Sequence, residues 1–284
     1  MGRMWKISII LLCVLLLFGC SESVNGRVQH AEMDDQSDSI EQNEKQPENS
    51  EDILTTDDTQ TETPPPEDDP TPQEHSDLYD PQYTTEQIWQ YFQEVALTME
   101  YSDGTGNPSL VQKWANPIAY RIYGTPTEED TLYLTTLLAE LNEISGFPGI
   151  SAAADGQMED LSIYFLHYDA FNDRFSATIQ GEYAYGAVQF WYYTDSNEIH
   201  TANIGYRTDI DQASRNSVIL EEIVNCLGIS DSELREDSIV YQYSNSNTAL
   251  SAVDWIILKI LYNPAISCGM NAEGCRPVVE SLYY

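Results

Sequence analysis

The stretch 217–264 constrains the fold more than any other part of the chain. Within it, Ile219, Leu220, Ile223, Val224 and Leu227 recur at steps that put their side chains on one face of an α-helix. Glu221 and Asn225, four residues apart, share a second face one turn above each other, with Glu222 on the adjoining flank. Gly228 is expected to end the helix, because only a residue tolerant of positive φ is comfortable at that position. Taken alone, the Glu-Glu-x-x-Asn run reads as a solvated polar face. The order of the residues around it changes that reading.

Upstream lie the elements of an α/β domain. Thr84-Thr85-Glu86-Gln87 has capping-box spacing, and Ile88, Phe92, Val95, Ala96 and Met99 mark one face of the helix that follows. A turn-rich run, 102–108, leads through Trp114 to an alternating strand at 117–123. Thr125-Pro126-Thr127-Glu128 reads as a second capping box with Pro at the first helical position. Leu134, Leu137, Leu138, Leu141 and Ile144 then follow at helical spacing up to Gly146. The next strand is 161–167, so strand, long helix and strand make a parallel crossover unit. Two more strands, 186–193 and 199–206, flank the Asp195-Ser196-Asn197 turn.

The N-terminal third has a different character. Arg3 and Lys6 precede a mostly apolar run, 7–18, ending at Gly19-Cys20, which reads as a secretory signal too short to span a membrane. Leu17-Phe18-Gly19-Cys20 resembles a bacterial lipobox, with Phe18 bulkier than usual. That resemblance implies lipidation of Cys20 and anchoring at the extracytoplasmic face of the cell membrane, since two acyl chains suffice for stable attachment; ordinary secretion with cleavage nearby is the alternative. Residues 21–82 hold nineteen carboxylates against two basic residues and no aromatic before Tyr79. Such a segment cannot bury enough apolar area to offset chain entropy and is expected to be a disordered acidic tether with Pro-rich pieces. The remainder, 83–284, suffices for one domain with a full core. With a formal charge of −35 over the whole chain, nucleic acid and anionic surfaces would repel the protein.

Two resemblances attach to the key stretch. Glu221-Glu222-x-x-Asn225-x-x-Gly228-x-x-Asp231 resembles the metzincin zinc helix, HExxHxxGxxH, with every histidine replaced and the glutamate kept as Glu222. Ser238-Ile239-Val240-Tyr241 resembles the Met-turn of that group, with Val240 in the methionine position, and 254–262 resembles its closing helix. The chain is still more similar to the bacterial family called domain of unknown function 2927. The residues that carry this are Glu221, Glu222, Leu227, Gly228, Ile229, Asp231, Ser232, Ser238, Ile239, Leu261, Tyr262, Pro264, Gly269 and Met270, with Asn225 in place of the more usual Gln. The resemblance implies an α/β (α+β) fold: a metzincin-like mixed sheet with a long crossover helix, an active-site-type helix and a helical C-terminal part.

The chemistry implied is mostly a loss. Zinc favours nitrogen and sulfur ligands, whereas Glu221, Asn225 and Asp231 offer oxygen, which suits calcium, magnesium or manganese. His167 and His200 fall on expected strands away from the helix. Glu222 would serve as a general base only beside a held water. No Gly-x-Ser-x-Gly, phosphate loop or CxxC is present. Cys226 reads as a small buried hydrophobe. Cys268 and Cys275 have a spacing that allows a disulfide clamp in an exported protein without establishing one. The expectation is therefore a lipid-anchored, non-catalytic binding or interaction domain that holds a peptide or cell-wall ligand and has no certain cofactor. The alternative is a metal-dependent hydrolase in which Glu221, Asn225 and Asp231 bind a divalent cation and Glu222 is the base.

Overall fold

A single mixed sheet organises the computed structural model, which describes residues 26–28, 76–98, 110–176 and 184–284. The signal segment with Cys20, the tether apart from 26–28 and 76–82, and the 102–108 turn lie outside the described residues. In chain order the elements are β1 (Gly26–Val28), α1 (Thr85–Ala96), β2 (Lys113–Trp114), β3 (Ile118–Gly124), α2 (Glu128–Leu141), β4 (Ile150–Ala152) and β5 (Leu161–Leu166). They continue with α3 (Tyr168–Phe175), β6 (Gly186–Tyr192), β7 (Glu198–Arg207), α4 (Gln212–Cys226), α5 (Ala252–Leu261) and α6 (Ala272–Leu282). The strand order is β1-β6-β7-β5-β3-β4, with β2 pairing the start of β7. The β3, β4, β5 and β7 neighbours run parallel, whereas β6 is antiparallel to β7 and β1 antiparallel to β6.

The period-2 burial of β5 and β7 divides the sheet into two faces. Leu161, Ile163, Phe165, Ala202, Ile204 and Tyr206 join the main core with α1, α2, α4 and α5. On the opposite face α3 covers a smaller cluster of Phe171, Phe175, Ala184 and Ala187. Gly205 makes that cover close: a Cβ there would stand 2.2 Å from Cε2 of Phe175. His167, expected on a strand, is the N-cap residue of α3.

Three expectations are adjusted. The α2 capping box is Thr127 with Asp130, two residues later than expected, which leaves Pro126 ahead of the cap. The strand to which α2 returns is β4, whose three residues carry too little pattern to be read, and β5 lies on the other flank of β3. Residues 76–82 also pack on the domain. The Ser76 N–H donates to the Tyr284 carbonyl at 3.0 Å, the Tyr283 hydroxyl donates to the Asp80 carbonyl at 2.6 Å, and Leu78 and Tyr79 pack on the core. Two apolar side chains and the terminal tyrosine thus offset the ordering entropy of an acidic segment.

Candidate functional site

Helix α4 starts about two turns before its apolar stripe, with its cap at Asp211, whose carboxylate accepts from the Ser214 N–H at 3.0 Å. Every residue from Arg215 to Cys226 is buried. The expected solvated face does not exist, because α4 lies between β6 and β7 on one side and α2 on another. Arg215 is held by Asp130 of α2 at 2.7 Å and by the Thr208 and Ile210 carbonyls, so its charge is paired and hydrogen-bonded where water is excluded.

The other end of α4 is fastened through its carbonyls. The Tyr206 hydroxyl donates to Ile219 O at 3.1 Å, the Trp114 indole N–H to Cys226 O at 2.9 Å and the Tyr262 hydroxyl to Leu227 O at 3.0 Å. Gly228 has φ of +97°, and a Cβ there would fall 1.9 Å from the Gln112 carbonyl oxygen. Glycine is therefore required twice, by conformation and by space.

Within this setting Glu221, Glu222 and Asn225 are all enclosed, at 0, 0 and 1 % exposure. Glu222 packs against the sheet at Gly186, where an added Cβ would stand 2.5 Å from Glu222 Oε1 and 2.4 Å from Val218 Cγ1. Burial drives the Tyr206 hydroxyl pKa well above its ordinary value, and the carboxyl of Glu222, the Cys226 thiol and the carboxyl of Glu221 add to that rise. Burial also pushes the Cys226 thiol up to about 12, which fits the expected apolar role and not a nucleophile's.

Beyond Gly228 the chain turns back. Asn225 Nδ2 donates to Asp231 Oδ1 at 3.3 Å, while Asn225 Oδ1, buried, accepts no hydrogen bond. The turn at 238–241 is tied to the same place: the Ser232 N–H donates to the Val240 carbonyl at 2.7 Å and the Gln242 N–H to the Ser232 carbonyl at 3.0 Å. Beneath it runs a buried chain in which the Tyr91 hydroxyl donates to Ser238 Oγ at 2.6 Å and Ser238 Oγ to Asp254 Oδ1 at 2.5 Å. Asp254 Oδ2 also accepts from the Ile239 N–H at 3.0 Å and serves the capping box of α5. The Ser-Ile pair and the Asp of the closing helix thus form one network that fixes the turn beside α4.

The donor set can be tested against a metal. One carboxylate oxygen of Asp231 is taken up by the Asn225 Nδ2 donor, and His167 and His200 are elsewhere, the latter stacked on Tyr193 at 4.3 Å. Among the described residues no group of three or more His, Cys, Asp or Glu side chains is arranged to hold a metal ion. The set does not fit zinc.

Cys268 and Cys275 are free thiols. Cys275 is buried in α6, and Cys268 Sγ donates to the Lys113 carbonyl at 3.5 Å on the wall of a cleft of about 710 Å³ that Trp114, Glu198, Tyr262 and Pro264 also line. Lys113 Nζ closes one side of that cleft by donating to the Leu261 and Ile266 carbonyls at 2.7 and 2.5 Å.

Sequence reading missed Gly186, Tyr206 and Arg215. A glycine opening an otherwise bulky strand is a signal of close approach, and it was available. Tyr206 and Arg215 gave none, because their partners come from distant parts of the chain.

Comparison with known proteins agrees with the motif-bearing region. No curated protein matches the chain. The family model described as Protein of unknown function (DUF2927) matches residues 85–281, from the start of α1 into α6. With its buried Glu221-Glu222 helix, its Gly228 turn and its Ser238-Ile239 network all inside that span, the chain belongs to the DUF2927 family.

Proposed function

We propose that the domain is a non-catalytic binding module of metzincin-like plan, carried at the extracytoplasmic face of the cell membrane by a lipidated Cys20. The observation that carries the reading is the donor set: Glu221, Asn225 and Asp231 stand where that plan has histidines, and Asp231 Oδ1 accepts from Asn225 Nδ2. Peptide hydrolysis by such a helix needs a metal that brings bound water toward neutrality, and an amide–carboxylate pair supplies none. What the site retains is a buried acceptor, Asn225 Oδ1, of the kind that an amide N–H of a peptide or cell-wall ligand would satisfy. The acidic surface, twenty-eight carboxylates against eight basic residues in 83–284, disfavours nucleic acid as that ligand.

The test is incubation of the purified mature chain with an unfolded protein substrate, alone and with added zinc, calcium or manganese. No cleavage is expected in any arm. Metal-dependent cleavage that Glu222→Gln abolishes would replace this reading with that of an oxygen-ligand hydrolase. Anchoring is tested separately: Cys20→Ser should move the protein from the membrane fraction to the soluble one, and retention in the membrane would contradict lipidation.

A further inference from the structure

We propose that Gly26–Val28 is an intramolecular edge strand that closes the sheet on β6 and, given the lipidated Cys20 of the reading above, sets this edge of the domain close to the lipid surface. The pairing is antiparallel and in register, with Gly26 opposite Gln189, Arg27 opposite Val188 and Val28 opposite Ala187. Among the described residues no strand lies beyond β1, so without it β6 would be the sheet edge.

The sequence of β6 explains why an edge strand is needed. Gly186-Ala187-Val188-Gln189-Phe190-Trp191-Tyr192 has high strand propensity and carries no charge and no proline. Proteins normally blunt an exposed edge with Lys, Pro, bulges or a covering segment, because a row of open N–H and C=O groups templates pairing with other chains. Lacking a charge or a proline, β6 depends on cover. Its one irregularity, between Trp191 and Tyr192, lies past the residues that β1 pairs.

Geometry gives the consequence. Cys20 lies six residues before Gly26, a reach of at most about 20 Å. A lipid on Cys20 therefore holds the paired edge within that distance, although residues 29–75 separate β1 from the next described residues of the chain. On this proposal the spacing between lipid and domain is set by residues 20–26 and not by the whole acidic segment.

Hydrogen exchange on the mature chain tests the strand. Arg27→Pro with Val28→Pro removes two of its amides. We expect at least tenfold faster exchange in 186–192 in this variant at unchanged melting temperature, with protection regained on adding a synthetic peptide of residues 21–31. Identical exchange in the two proteins would overturn the proposal. A second readout uses covalent capture: Gly26→Cys with Gln189→Cys should bridge on oxidation, whereas Gly26→Cys with Asn203→Cys, one strand further in, should not. Equal bridging of both pairs would count against the register.

In vesicles, a fluorophore at Trp191→Cys should be quenched by a lipid-borne quencher and should lose that quenching in the proline variant. Equal quenching in both would contradict the membrane-side placement. The two readings fail separately. If Cys20→Ser leaves the protein on membranes while exchange responds as expected, lipidation falls and the strand stands; release from membranes with unresponsive exchange gives the reverse.

Discussion

Asn225 and Asp231 meet across the turn made by Gly228, with Asn225 Nδ2 donating to Asp231 Oδ1 at 3.3 Å. Six residues apart in sequence, they are brought together because the helix stops at Gly228 and the chain doubles back toward the face it has just left. A turn of this kind can deliver a third ligand to a metal. Here it delivers a carboxylate to an amide, and the pair joins the last turn of α4 to the loop that the Tyr91–Ser238–Asp254 chain secures from below.

Gly228→Ala should be among the most damaging single changes in the domain. A left-handed conformation costs a non-glycine residue about 1–2 kcal/mol, and the new Cβ would collide with the Gln112 carbonyl, which is backbone and cannot swing aside. A total loss of about 3 kcal/mol or more corresponds to a melting temperature lower by roughly 6–12 °C for a domain of this size. Thermal denaturation followed by circular dichroism measures it. A change below about 2 °C would show that the turn relaxes more freely than the contact implies.

Gly186→Ala should push α4 off the sheet, at about 1–3 kcal/mol for an overpacked methyl. Because one of the two atoms it meets belongs to Val218, whose branched side chain cannot rotate away cheaply, the effect should couple to that residue. Val218→Ala in the same chain should recover part of the loss, whereas additive losses in a double-mutant cycle by urea denaturation would place the strain elsewhere.

How much of this was legible in sequence depends on range. Thr84 and Thr127 advertise their helices through side chains three residues from the groups they bond, and the antiparallel β6–β7 pair is announced by its turn. The stripe of α4 was equally plain, yet its polar flank looked solvated and is not. Burial of Glu221 and Glu222 is decided by what packs on them, and Gly186 and Tyr206 come from strands whose register only the fold sets. The same holds for Arg215, which sequence spacing would leave as a surface cation, and for the three-residue strands β1 and β4, which exist because a neighbouring edge accepts them.

The Asp130–Arg215 pair should make stability depend on acid. Burial alone would raise the Asp130 pKa, but the Thr127 N–H, the Gln212 amide and the Arg215 guanidinium together hold it below the ordinary value of 3.8. A carboxylate depressed in the folded state contributes stability above its unfolded pKa and loses it as pH falls through the folded value. Asp130→Asn should cost about 3–5 kcal/mol at pH 7, since it leaves a buried guanidinium short of its counter-charge. The gap between variant and wild type should then close progressively below pH 3.8. Denaturant titrations at several pH values read it, and a gap constant from pH 7 to pH 2.5 would mean that the pair is not the source.

The most direct measurement of the proposed reading, a metzincin-like helix with Glu221, Asn225 and Asp231 in place of histidines, is zinc titration by calorimetry of two proteins side by side. One is the mature chain as it stands; the other carries Glu221→His, Asn225→His and Asp231→His, with circular dichroism confirming that it is folded. The account predicts no zinc heat from the first and one equivalent bound by the second. One equivalent of zinc in the unaltered chain, or none in the folded triple variant, would contradict it.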